Sequence, residues 1–150
     1  SVTDRSIWYV TAGYSENFNY QDRYLTSNNM DNAYCRTSGC APNNFTSITE
    51  IKGYFVSSTA DPGTYSGIGY SWMIGSNGNS YQQHTRALSI STSGNFSASA
   101  IREVDFFNAG GDGNDFEDNI AANDLFGIRF GFPDVSAFVA MIGLKITWRF

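Results

Sequence analysis

The segment Gly110-Gly111-Asp112-Gly113-Asn114-Asp115-Phe116-Glu117-Asp118 gathers more oxygen donors than any other part of this chain. Calcium prefers oxygen ligands, which makes Asp112, Asn114, Asp115, Glu117 and Asp118 candidate calcium ligands. The first six residues match the opening of the G-G-x-G-x-D nonapeptide of calcium-binding β-rolls. The match then breaks. The large apolar residue of that repeat belongs where Glu117 stands, and Phe116 comes one place early. A single copy also lacks the neighbouring repeats that complete such sites, and the alternating ligands and central glycine of an EF-hand are missing. The competing reading is a solvated acidic loop with no cofactor.

A second set is Tyr81, Gln82, Gln83, His84 and Arg86, with Trp72 on the segment before. Amides, imidazole and guanidinium supply planar hydrogen-bonding groups, and an aromatic face supplies a stacking surface. Together these types would suit a glycan. The alternative is a solvent-facing strand with an aromatic core on its reverse. A third set is Cys35-Arg36-Thr37-Ser38-Gly39-Cys40, in which Gly39 would help a short loop turn. A local Cys35–Cys40 disulfide in an oxidising setting and two free thiols are both open readings. Two cysteines and one histidine are too few for a structural zinc site.

Nothing assembles an enzyme. His84 is the only histidine, and Gly69-Tyr70-Ser71-Trp72-Met73 ends in Met where a nucleophile elbow needs Gly. No spacing pairs the carboxylates for glycoside hydrolysis. The expectation is a non-enzymatic protein. Asn44-Phe45-Thr46 and Asn95-Phe96-Ser97 are glycosylation sequons, which chance supplies readily in a chain so rich in Asn, Ser and Thr.

These residues need elements to place them. The chain has 150 residues, the size of one domain, so 1–150 reads as a single unit. Aromatics make up 16% and charged residues only 15%, so the core is large and the polar surface must come from Asn, Ser, Thr, Gln and Gly. The 15 glycines fit an all-β chain with many turns. Net charge is −5 and the basic residues are scattered, which argues against nucleic-acid binding. No apolar run is long enough for a transmembrane helix, so no membrane span is expected.

Period-two alternation is clearest at the carboxy end. Phe126, Ile128, Phe130 and Phe132 share one strand face. After Pro133-Asp134, so do Phe138, Ala140, Ile142, Leu144, Ile146, Trp148 and Phe150. Upstream strands are expected at 6–14, 48–57, 65–74, 81–91 and 96–107. Ala60-Asp61-Pro62-Gly63, Ser76-Asn77-Gly78-Asn79 and Thr92-Ser93-Gly94-Asn95 are the turns between them. The long polar stretch 15–47 holds at most short strands near 20–25, and 108–123 reads as an acidic loop.

About eight strands at this spacing suit an antiparallel β-sandwich, a jelly roll, or alternatively an eight-stranded outer-membrane barrel. Arg102 on one face of 96–107, with Glu103 and Asp105 on the other, disfavours a lipid-facing strand.

From Ile48 onward the pattern resembles the jelly-roll domains of phage appendage and head-decoration proteins, and more distantly trimeric tumour-necrosis-factor-like heads. The likeness rests on ITEIKGYFVSS at 48–58, YSWMIGSNGNS at 70–80, and the passage from Asp118 through Ile120-Ala121-Ala122-Asn123-Asp124 to Ile128. In that family the last segment commonly reads Ile-x-Ala-Gly-Asp. Asn123 stands here for the Gly, and Asn also tolerates positive φ. The likeness covers about two thirds of the chain, and 1–47 has no counterpart. It implies a homotrimer on the virion surface, in contact with other virion proteins and acting as head decoration, fibre head or tail adhesin. Its polar loops would meet host-surface glycans. A secreted lectin-like domain is a further alternative.

Overall fold

The computed structural model describes residues 1–13, 28–29, 34–57, 68–90, 100–131 and 139–150. Among them run β1 (Asp4–Tyr9), β2 (Ala12–Gly13), β3 (Asn28–Asn29), β4 (Tyr34–Cys40), β5 (Ser47–Ser57), β6 (Ile68–Gly75), β7 (His84–Ile90), β8 (Ile101–Asp105), α1 (Phe116–Asn119), β9 (Leu125–Gly131) and β10 (Val139–Arg149). One sheet has the order β1-β10-β5-β8, with β3 also on β10. The other has the order β2-β4-β9-β6-β7.

Leaving aside the two-residue strands, the pairings nest. The first strand pairs with the last (β1 with β10), then β4 with β9, β5 with β8, and β6 with β7, all antiparallel. A long hairpin rolled up on itself gives this connectivity, so the protein is an all-β antiparallel sandwich with the jelly-roll topology.

Alternation explains which side of each strand is wet. Ile51 and Phe55 of β5 point into the sandwich, and Lys52 and Tyr54 point out. Phe126, Ile128 and Phe130 of β9 are buried, as their spacing predicts, while Phe132 lies outside the described residues. Between the sheets Phe106 meets Tyr70 and Phe130 at ring separations of 5.1 Å each. Burying each such ring contributes about 1.5–3 kcal/mol. Asn77-Gly78 forms the expected turn, with Gly78 at φ +85 and Asn79 N–H donating to the Ser76 carbonyl at 3.0 Å.

Several expectations are corrected. The final strand does not keep one face throughout. Its register with β5 shifts between Met141 and Gly143. One extra residue reverses the side-chain parity. Met141 therefore joins Leu144, Ile146 and Trp148 in the main core, whereas Ala140 and Ile142 form a separate cluster with Val56. Phe138 lies outside the described residues.

The stretch around the cysteines is strand β4 rather than a loop, because Cys35 and Thr37 alternate inward and β9 pairs along its length. Residues 81–83 belong to a turn, and β8 spans five residues, its upstream neighbours 96–99 being undescribed. The 20–25, 60–63 and 92–95 segments also lie outside the described residues.

The membrane-barrel alternative fails on side-chain direction. Leu144, Ile146 and Trp148 are covered by the opposing protein sheet, where a barrel of that kind would turn them outward to lipid. Among the described residues no helix is long and apolar enough to cross a membrane.

Candidate functional site

The acidic loop is organised by an arginine. Arg86 sits on the inward side of the edge strand β7, opposite Trp72. Its guanidinium meets Asp112 in a two-pronged ion pair, Nη1 to Oδ1 at 2.7 Å and Nη2 to Oδ2 at 2.8 Å. Nη1 also donates to the Asn114 carbonyl at 2.7 Å and to Asp115 Oδ1 at 3.2 Å. The bond from Arg86 holds the Asp112 carboxyl below its ordinary pKa.

Asp115 is fully buried and accepts from the Gly110 N–H at 3.0 Å and the Gly111 N–H at 3.3 Å. A Cβ on Gly110 would lie 2.6 Å from Asp115 Oδ1 and 2.8 Å from Arg86 Nη1, so only glycine fits there. Asp118 accepts from the Asp115 N–H at 2.9 Å, starting the one-turn helix α1.

Of the five candidate calcium ligands, Asp115, Glu117 and Asp118 bring oxygens within 4.8 Å of one another. Asp112 and Asn114 turn instead to Arg86. Glu117 accepts from the Asn108 N–H, and the Asn114 side-chain oxygen accepts from Asn119 at 3.1 Å. Protein donors thus take up much of the loop's oxygen capacity, and the guanidinium supplies positive charge. The loop buttresses the edge of the sandwich.

The candidate glycan residues disperse. Trp72 is corrected outright: it is 2% exposed, with its ring edge-on to Phe116, so it offers no stacking surface. Arg86 is held by the loop. Gln83 Oε1 accepts from the Ser76 N–H at 2.9 Å and braces the Asn-Gly turn. Gln82 and His84 are exposed, and Tyr81 is 71% exposed.

The Cys35–Cys40 disulfide is also corrected. Both thiols are free, Cys35 buried and Cys40 exposed. Five residues along one strand separate them by roughly 17 Å and place them on opposite faces, far beyond what a disulfide spans. Burial pushes the Cys35 thiol up to about 12.

Another surface comes from residues that sequence reading did not single out. The outward side of β4, β9, β6 and β7 carries a shallow depression of about 770 Å³, lined by Arg36, Ser38, Ser71, Met73, Thr85 and Arg129 among others. Register puts Arg36 opposite Arg129, and Arg129 opposite Ser71. Gly127 lies in the floor, with open space above it. A second hollow of about 410 Å³ adjoins it, sharing Met73 and Gly127 and reaching Tyr81. Together they form a trough that runs from two guanidinium groups to an exposed aromatic ring.

Set against known families, curated proteins and solved structures, the chain matches none of them. The site is therefore read from its own chemistry. The outward face of the other sheet carries Lys52 and Lys145 opposite one another. Lys52 lies 3.1 Å from Glu103 and 3.7 Å from Glu50, and Lys145 lies 3.7 Å from Glu50. That face is a neutralised ion-pair network. The trough is lined by Arg36 and Arg129, by hydroxyls, and by a thioether and a phenol ring. A polar outward position every second residue was visible in the sequence. Which of these positions meet was not, because β4 and β9 lie far apart in the chain.

Proposed function

We propose that this protein is a non-enzymatic structural subunit of a virus-particle surface, a head decoration, fibre head or tail adhesin, assembled as a homotrimer. The observation that carries this reading is an apolar sheet edge on a jelly roll. Strand β1 pairs on one side only, with β10, among the described residues. Ile7 is 36% exposed, Trp8 47%, and Val10, just past the strand, 75%. An uncovered edge strand bearing large apolar side chains invites a partner chain, and a closed ring of identical subunits covers every such edge equally. The carboxylates of the acidic loop and of the lysine face bond to protein donors, which fits a structural rather than a catalytic role. The trough on the opposite sheet is left facing outward for a host-surface ligand.

Light scattering tests the assembly. The expected mass is three times that of the chain, and Val10→Lys should shift it to the monomer with little change in thermal midpoint, since Val10 is exposed. A wild-type monomer would overturn the trimer. Gold-labelled antibody against the chain should decorate the outside of intact particles from the source, and label confined to disrupted particles would refute the surface location.

A further inference from the structure

We propose that Asp115, Glu117 and Asp118, together with the hydroxyl of Tyr70, form a site for one calcium ion. Each carboxylate gives the ion an oxygen. The Tyr70 hydroxyl serves it as a neutral oxygen or accepts a hydrogen bond from an ion-bound water, and further waters complete the shell. The site ties the acidic loop to the inward face of β6, whatever the protein's assembly state.

Two buried oxygens here are left over by the fold. The Tyr70 side chain has no exposure, and among the described residues its hydroxyl has no hydrogen-bond partner. Glu117 Oε2 is buried and has none either, although Oε1 of the same carboxyl accepts from the Asn108 N–H. A buried polar group left unpaired costs about 1–3 kcal/mol, so such atoms point to a ligand. Both belong to one locality. The Tyr70 ring packs on Phe106 at 5.1 Å, and the chain runs from Phe106 to the Asn108 that holds Glu117. Two places along the same face of β6, Trp72 meets Phe116 at 6.1 Å, the residue between Asp115 and Glu117. Burial pushes the Tyr70 hydroxyl well above its ordinary value, and the charges of Glu117 and Asp115 add to the push. The hydroxyl therefore lies within their electrostatic reach and stays neutral.

Spacing and charge suit calcium. One oxygen from each of Asp115, Glu117 and Asp118 lies within 4.8 Å of the others. Calcium holds its oxygens at about 2.3–2.6 Å, so a single ion reaches all three, whereas magnesium wants about 2.1 Å and a stricter octahedron. Enough lone pairs remain. Asp115 takes donors from Gly110, Gly111 and Arg86, against roughly four acceptor positions on a carboxylate. Asp118 spends Oδ2 on the Asp115 N–H and stands exposed, which opens a path from solvent. Among the described residues every ion pair to this loop comes from Arg86, whose two-pronged bond goes to Asp112. One guanidinium thus faces the carboxylates of Asp112, Asp115, Glu117 and Asp118, and negative charge is in excess.

Titration calorimetry and thermal unfolding of the chelator-treated chain, with calcium chloride and magnesium chloride as probes, test this. The expected result is one calcium per chain, a thermal midpoint that climbs with calcium concentration, and magnesium binding weaker by at least about tenfold. Asp118→Asn keeps an oxygen for the Asp115 N–H and should weaken calcium at least about tenfold. Tyr70→Phe should weaken it by about tenfold, yet without calcium its midpoint should be no lower than wild type, because it removes an unpaired hydroxyl. Glu117→Gln without calcium should be at least as stable as wild type near pH ~7, and calcium should raise wild type alone and so reverse the order. Glu103→Gln, in the lysine network of the other sheet, should bind calcium as wild type does. No calcium binding, magnesium bound as tightly, or a loss of binding in Glu103→Gln overturns the proposal. So does unchanged affinity in Asp118→Asn, or in Tyr70→Phe, which would mean that water alone answers the hydroxyl.

Discussion

Asp115 and Glu117 stand two apart in one acidic loop and meet opposite environments. Asp115 is buried yet supplied with backbone N–H groups and a guanidinium. Glu117 is half-buried, and burial pushes its carboxyl above its ordinary value, with Asp115 and Asp118 adding to the push. A carboxyl with a raised folded pKa holds its proton more tightly folded than unfolded. Its contribution to stability is complete below the ordinary glutamate range and is lost as pH rises through the raised value. Glu117→Gln keeps the oxygen that accepts from Asn108 and removes the charge. It should match wild type near pH ~4 and exceed it near pH ~7 in urea midpoint. A gap between the two proteins that does not widen with pH would contradict this origin. The sequence displayed the oxygen-rich loop, and it suggested a metal. It could not display the cation that answers the loop, because Arg86 reaches it from 26 residues upstream of Asp112.

The alternation of a strand governs the cysteines. In β4 an odd separation sends Cys35 inward and Cys40 outward. In the native protein Cys40 should react with a thiol reagent and Cys35 should not, its thiol being buried and raised to about 12. Unfolding should release the second thiol. Two reactive thiols before denaturation would show that β4 is not the buried-face strand seen here. Glycines in two strands make a second contrast. A Cβ on Gly143 would run into the indole of Trp8, which crosses the outer face of β10 and meets the Tyr54 ring at 5.6 Å. Gly127 has open space above it. Gly143→Ala should cost about 1–3 kcal/mol by overcrowding, and Gly127→Ala less than about 0.5 kcal/mol, as read from chemical denaturation. Equal costs would mean that Trp8 moves aside freely. Asn123 adopts φ +64, a region asparagine tolerates, and the following Asp124 closes the turn by accepting from the Ala121 N–H at 2.9 Å.

For the molecule as a whole, the closing strand β10 lies between β1 and β5 and seals the first sheet. Ile146→Ala, at a position with no exposure, should cost about 2–5 kcal/mol in two-state unfolding. A cost below about 1 kcal/mol would show the core able to close around the gap. Alternating Phe, Ile and Trp made the strands of β5, β9 and most of β10 readable in advance, and turn residues such as Asn77-Gly78 marked one boundary between them. Strand β4 was hidden because its inward residues are small and polar, Cys35 and Thr37, and give little hydrophobic signal. The bulge at 141–143 was hidden because parity changes by pairing, not by composition. Local side-chain chemistry was enough to make this an all-β chain with a buried carboxy end, since period, propensity and turn geometry act between near neighbours. Folding alone chose that Arg36 faces Arg129, that Arg86 clasps Asp112, and that Trp72 is core. Each of these depends on which distant strands hydrogen-bond in which register, and no stretch of neighbouring residues encodes that.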